Sequence, residues 1–297
     1  SDRWQEKWDN LPMIKGSLSD GLLKALAIKP KVEQKIETTN TEAYEYYLKA
    51  KHKYEKRENT DDTEIARGLL QKSIQLDDNL ILAKTLLGTT YLQMGNYDKA
   101  MKIYNSSLKQ AGEVRDKFGM SSCLSNIGIV YSYKGDYDKA LDCYEKSLVI
   151  DYELGSKLSM CYSILNIGWV YREKVNYNKS LDYFNRALSI GEELEDKFGI
   201  GGILQNIGIV YSYKGEYDKG LDFYNRSLAI QKECGDKFNM AASLNCIGAY
   251  YSDKGDYEAA RDYYKRSLKI REELGEKRGI GYCLNNIGWI FFHKSDY

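Results

Sequence analysis

The chain has 297 residues, 43 of them Lys or Arg and 43 Asp or Glu, so its formal net charge is zero. That balance argues against a general binder of nucleic acid or of anionic membrane, each of which needs a basic excess to displace counterions. With no signal peptide and no run of about 18 or more apolar residues, a soluble, cytoplasmic segment is expected. Two prolines against 27 tyrosines suit a helical array packed by rings. Six cysteines (Cys123, Cys143, Cys161, Cys234, Cys246, Cys283) lie inside the helical pattern without a Cys-x-x-Cys pair. His52 and His293 are the only histidines. The cysteines read as small buried residues in a reducing compartment, with no metal or other cofactor expected.

Residues 1–40 stand outside the period that governs the remainder of the chain. They open with Trp4 and Trp8, break at Pro12, and continue as an amphipathic run (Leu18, Leu22, Leu23, Leu26) with Ser17 or Ser19 as N-cap. Pro30 ends the run. This stretch reads as a cap on the first repeat or as the remnant of an upstream domain.

From Thr41 a helical pattern begins, and residues 41–297 form the second domain. Tyr44, Tyr47 and Leu48 mark one face of a first helix, and a second helix from about Asp62 carries Ala66, Leu70 and Ile74. These three return as Ala100, Tyr104 and Leu108 after 34 residues, and every later step is 40. Asn126-Ile127-Gly128 sets the phase. It returns as Asn166-Ile167-Gly168, Asn206-Ile207-Gly208 and Asn286-Ile287-Gly288, with Cys246-Ile247-Gly248 keeping the last two members. Such a period marks a stacked repeat protein, whose units are too small to bury their apolar faces alone.

In the unit from Ser121 to Gly155, Leu124, Ile127, Gly128 and Tyr131 share one face of the first helix. Gly128 lets the partner helix approach closely. Gly135 suits a left-handed C-cap, and the second helix buries Tyr137, Ala140, Leu141, Tyr144 and Leu148. The connectors holding Phe198 and Phe238 are expected to seal the joints with those rings. The chain stops at Tyr297 in mid-repeat and starts at Ser1, so it is expected to be part of a longer protein.

Leu87-Gly88, Tyr91, Gly95, Tyr97, Ala100 and Tyr104 resemble the tetratricopeptide repeat signature, and Ile127-Gly128, Tyr131, Gly135, Tyr137, Ala140 and Tyr144 repeat it. Val175 and Ser295 depart from it at the turn glycine, and Ser180 and Gly220 at the small packing position. The resemblance covers residues 41–297. It implies an all-α fold, a right-handed α-solenoid (superhelix) of six helix–turn–helix units plus a half repeat. The 40-residue variety is similar to kinesin light chains and Pins-type scaffolds, which bind extended peptides in a concave groove.

On the first helix of each unit, one stripe faces away from the buried side, within about 60° on the wheel for residues 122, 126, 129 and 133. It presents Asn126, Asn166, Asn206 and Asn286, whose amides carry both donor and acceptor and suit the main chain of an extended peptide. Beside them Ile129, Trp169, Ile209 and Trp289 supply apolar anchors, and Tyr133, Tyr162, Tyr213 and Tyr282 complete the stripe. Asparagines before the Ile-Gly pair resemble those that contact ligand backbone in peptide-binding relatives. The alternative is structural: the amides bond to a neighbouring repeat and the indoles pack between first helices. Cys246 and Ala249 interrupt the ladder in the sixth unit. The carboxylate clamp of chaperone-binding relatives is disfavoured, because its Asn position maps onto Ile129, Trp169 and Ile209.

No phosphate loop, nucleophile elbow or His-containing pair appears, so no enzymatic activity is expected. The expected partner is a protein or peptide in the groove, with self-association possible through the incomplete last repeat. Trp4, Trp8, Ile14, Leu22, Leu26 and Ile28, followed by residues 41–48, resemble the joint at which a TolB-like region passes into tetratricopeptides in bacterial nucleotide cyclases and related signalling proteins. That resemblance implies a sensory or scaffolding arm, with a receptor for a short free peptide or a passive spacer as alternatives.

Overall fold

The computed structural model describes residues 40–55 and 60–295, which form thirteen helices and, among the described residues, no strand. The N-terminal segment 1–39, with its expected cap and joint, lies outside the described residues.

Six helix pairs come in order: α1 (Thr41–Glu55) with α2 (Thr60–Leu76), α3 (Ile81–Gln93) with α4 (Tyr97–Glu113), α5 (Lys117–Tyr133) with α6 (Tyr137–Leu154), α7 (Lys157–Glu173) with α8 (Tyr177–Glu193), α9 (Lys197–Tyr213) with α10 (Tyr217–Cys234), and α11 (Lys237–Asp253) with α12 (Tyr257–Glu273). The helix α13 (Lys277–Ser295) begins a seventh unit. Short polar N-caps start many of these helices. Asn96, Asp116, Ser156, Asn176, Asp196, Asp236 and Asp256 each accept from a backbone N–H three residues on. The turn within a pair passes through the left-handed region, at Gly135 with φ 80° for example. In the fourth unit Val175 holds that conformation at φ 59°, which is costly for a β-branched side chain.

From the second pair to the sixth, the repeat glycine meets a ring from the second helix. A Cβ on Gly128 would lie 2.6 Å from Tyr144, and one on Gly168 2.8 Å from Phe184. Gly208 and Gly248 face Tyr224 and Tyr264 in the same way, each at 2.7 Å. These rings are the largest buried side chains of their units. Tyr144, Phe184 and the isoleucines around them join successive units into one continuous core.

First helices of successive units touch one another, α3 with α5 and α5 with α7 among them, whereas second helices of successive units do not approach as closely. The first helices thus form one wall of the array. The longer repeat extends this wall. The first helix grows from 13 residues in α3 to 17 in α5, and the added turn holds Lys117 to Met120.

The joints between units differ in chemistry. Between the third and fourth, the carboxylate of Asp151 is buried and accepts from Ser121 and, at 2.9 Å, from Ser163. Ser147 bonds to Ser121 at 2.9 Å. Burial pushes the Asp151 carboxyl above its ordinary range, and the hydroxyls of Ser121, Ser163 and Ser147 pull it part of the way back. Forty residues later the same four positions are Cys161, Ala187, Gly191 and Ile203, an apolar joint.

Three details correct the sequence reading. Leu48 is exposed, and α1 buries Ala43, Tyr47, Ala50 and Tyr54 instead. Cys234 is exposed and Cys246 half-buried, while the other four thiols are buried. Desolvation pushes Cys161 up to about 11 and Cys123 to about 12, so these thiols are poor nucleophiles. The third correction concerns Phe198 and Phe238, which are exposed and do not seal the joints.

Candidate peptide-binding groove

Burial along the first helices separates two arcs. In α5 the residues Gly119, Cys123, Leu124, Ile127, Gly128 and Val130 are buried, while Ser122, Ser125, Asn126 and Ile129 are half-buried and Tyr133 is exposed. At 100° per residue the second set falls on one open arc, the arc that the sequence stripe occupies. The same division holds in α7, α9 and α11.

The four asparagines are half-buried or more exposed, and they are unequally engaged. The Nδ2 of Asn126 donates to the Ser122 carbonyl at 2.8 Å, one turn back on its own helix. Asn206 donates likewise to the Gly202 carbonyl at 2.9 Å, and its Oδ1 accepts from Arg172 at 3.4 Å. Asn286 donates to the Oδ1 of Asn245 at 3.0 Å, so in the sixth unit an amide one position earlier compensates for Cys246. Asn166 lies between Asn126 and Asn206 in the array.

The apolar members divide between anchoring and packing. Ile129 and Trp169 are half-buried against the central core, and Ile209 against the next cluster. The guanidinium of Arg172 sits 5.6 Å from the Trp169 ring centre, bonds Glu173 through Nη2 at 2.9 Å, and reaches Asn206 on α9. This arginine ties two neighbouring first helices together. Tyr133 stacks on Tyr97 at 5.8 Å and Tyr213 on Tyr177 at 6.0 Å, although both outer faces stay exposed. Tyr162 and Tyr282 are exposed, and Trp289 meets Tyr257 edge-on at 6.2 Å.

Sequence reasoning missed three features here. Arg172 and Asn245 each lie one residue from a chosen position, and that offset hid them. The third is a row of large apolar side chains, Leu158, Phe198 and Phe238, on the added turn of α7, α9 and α11. They are 50%, 59% and 55% exposed. Each sits four residues before position 162, 202 or 242, on the same arc, and that spacing was the available signal.

Helix pairs stacked in series, five of them closed by a glycine against a ring, define an α-helical solenoid of helix–turn–helix repeats. The chain belongs to the tetratricopeptide repeat family, whose model matches residues 79–152, 160–233 and 239–297. A search of curated proteins gives no significant match. Among solved structures, BtubC (BKLC) from P. vanneervenii is similar with 20% identity and TM-score 0.59, covering 80% of this chain and 94% of that one. A signal transduction ATPase with numerous domains, PH0952 from Pyrococcus horikoshii, described with a tetratricopeptide repeat sensor, has 18% identity and TM-score 0.65 over 86% of this chain and 44% of its own. A Rap protein complexed with competence and sporulation factor has 14% identity and TM-score 0.62 over 87% of this chain and 77% of its own. At these identities the likeness is one of fold. Among the described residues no helix is long and apolar enough to cross a membrane.

Proposed function

We propose that this array is a protein-binding scaffold or sensory module that takes an extended segment along the wall of its first helices, as part of a larger bacterial signalling protein. The observation that carries the reading is the open arc of α5, α7 and α9, where half-buried amides lie beside half-buried Ile129, Trp169 and Ile209. Each of these three packs on the core with one part of its surface and leaves the rest open beside an amide, a combination that suits a ligand. The sensor and the factor-bound Rap protein support the reading by likeness of fold. The signalling context rests on the resemblance of residues 1–48 to cyclase-linked joints. The role assigned is binding, without catalysis.

Capture from a lysate of the source cells, by wild type and by Asn166→Ala with Trp169→Ala, tests the proposal. Wild type is expected to retain a partner that the double variant loses. Equal recovery by both removes the groove from the function and leaves a spacer.

Self-association through α13 is a second reading, and a local difference favours it. A Cβ on Gly288 would meet nothing within 4 Å, unlike its counterparts in the full pairs. Leu284 is 52% exposed, whereas Leu244, its equivalent in α11, is 2% exposed. Sedimentation of wild type against Leu284→Glu decides the matter: a concentration-dependent dimer lost in the variant is expected. A monomer in both discards this reading.

A further inference from the structure

Successive units are held together by different means along the array. Across the third and fourth units, Ser163 on α7 bonds both Asp151 and Ser147 on α6, and Lys174 is paired with Asp138. Across the fifth and sixth, Ser227 bonds Ser243, while Tyr250 and Lys254 both reach Asp218. Between the fourth and fifth units, among the described residues, there is neither a polar joint nor an ion pair. Position 178 is Asn where the equivalent residues are Asp98, Asp138 and Asp218. Lys214 reaches Asn178 at 3.3 Å and pairs instead with Glu216 of its own unit at 3.0 Å. Ala187, Gly191 and Ile203 fill the joint itself.

This junction therefore rests mainly on apolar contact. A Cβ on Gly191 would lie 3.2 Å from Ile200 and 3.6 Å from Ile203, so α8 and α9 pack closely at that point. Apolar contact resists separation, but it is non-directional and fixes no angle as a hydrogen bond does. The first helices α7 and α9 approach one another less closely than α5 and α7 or α9 and α11 do. Three directional ties cross this junction among the described residues. Tyr177 stacks on Tyr213, Lys214 reaches Asn178, and Arg172 reaches Asn206 at 3.4 Å; both hydrogen bonds are longer than the ordinary range. In a repeat array each unit contacts only its neighbours, so the array yields where one interface constrains orientation least.

We infer that the junction between the fourth and fifth units is a hinge, in which α8 and α9 pivot at the Gly191 contact and Arg172 on α7 is the latch that limits separation from α9. The units on either side, each closed by its glycine and ring, move as bodies. Asn166 and Trp169 lie on one side of the pivot and Asn206 and Ile209 on the other, so the motion changes the spacing between these pairs.

The test measures distance distributions by pulsed double electron–electron resonance in the full chain. Nitroxides are carried on p-acetylphenylalanine, which leaves the cysteines untouched, at the exposed and equivalent positions of Tyr152, Glu192, Lys232 and Glu272. Labels at 152 and 192 span the third and fourth units, 192 and 232 the proposed hinge, and 232 and 272 the fifth and sixth. The distribution across the hinge is expected to be about two-fold broader than either of the others. Asn178→Asp, an exposed change that offers Lys214 the carboxylate found at the other junctions, should narrow it toward the controls. Arg172→Ala should broaden it further, with circular dichroism confirming that the helices are retained. Equal widths at the three junctions, or a width across the hinge that neither variant changes, overturns the inference.

Discussion

The joint between the third and fourth units and the joint between the fourth and fifth occupy equivalent places in the array, yet one is polar and the other dry. Ser121, Ser147, Asp151 and Ser163 form a hydrogen-bonded set in the first; Cys161, Ala187, Gly191 and Ile203 fill the same positions in the second. Both joints close because the neighbouring glycine–ring contacts, Gly128 on Tyr144 and Gly168 on Phe184, fix the helix spacing independently of joint chemistry. At this position the buried carboxylate comes together with three hydroxyls. A carboxylate without them would carry the whole desolvation cost.

That comparison breaks most sharply if the acid is moved without its serines. Gly191→Asp places a carboxylate in the dry joint, where an added Cβ would lie 3.2 Å from Ile200, and should cost about 3–5 kcal/mol in urea unfolding. A loss below about 1 kcal/mol would mean the dry joint admits water. Next in size is Ser163→Ala, which removes the 2.9 Å donor from Asp151 and should cost about 1–3 kcal/mol by the same measurement.

A smaller, pH-dependent difference is expected for Asp151→Asn. The folded-state pKa of Asp151 is raised, so the folded chain binds that proton more readily than the unfolded chain. Its contribution is most favourable below the ordinary aspartate range and is lost as pH rises through that range toward the folded value. Wild type should gain stability relative to Asp151→Asn on going from about pH 7 to about pH 4, compared through urea midpoints of the pair. An unchanged difference would mean that the hydroxyls cancel the effect of burial. The smallest change lies outside both joints: Val175→Gly relieves a left-handed β-branched residue and should raise stability by about 1 kcal/mol, read as a thermal shift.

Much of this fold was legible in the sequence. The 40-residue recurrence of Asn-Ile-Gly placed the helix pairs, and Gly128 was identified as a contact point from its wheel position. Tyr144 on the buried side of the second helix came from the same periodicity. The stripe of Asn126, Ile129 and Tyr133 was legible too, because the arc left open is the complement of the arc that must be buried. What escaped was local. Phe198 and Phe238 look like joint residues in a connector, until the helix is seen to start at Lys197 and Lys237 and to carry them onto the open arc. Leu48 was misjudged because α1 precedes the 40-residue units and buries a different set.

By itself the sequence determined the family, the pairing of helices and the side of each first helix that must be buried, because periodicity and small-residue positions are properties of a single chain segment. Tertiary structure alone decided which amides are already engaged. Asn206 meets Arg172 from a neighbouring helix and Asn286 meets Asn245, 41 residues away. It also decided that Asp151 is surrounded by hydroxyls from two further helices. Hydrogen bonds between units depend on the distance and rotation of one helix against the next, which repeat spacing along the chain does not encode.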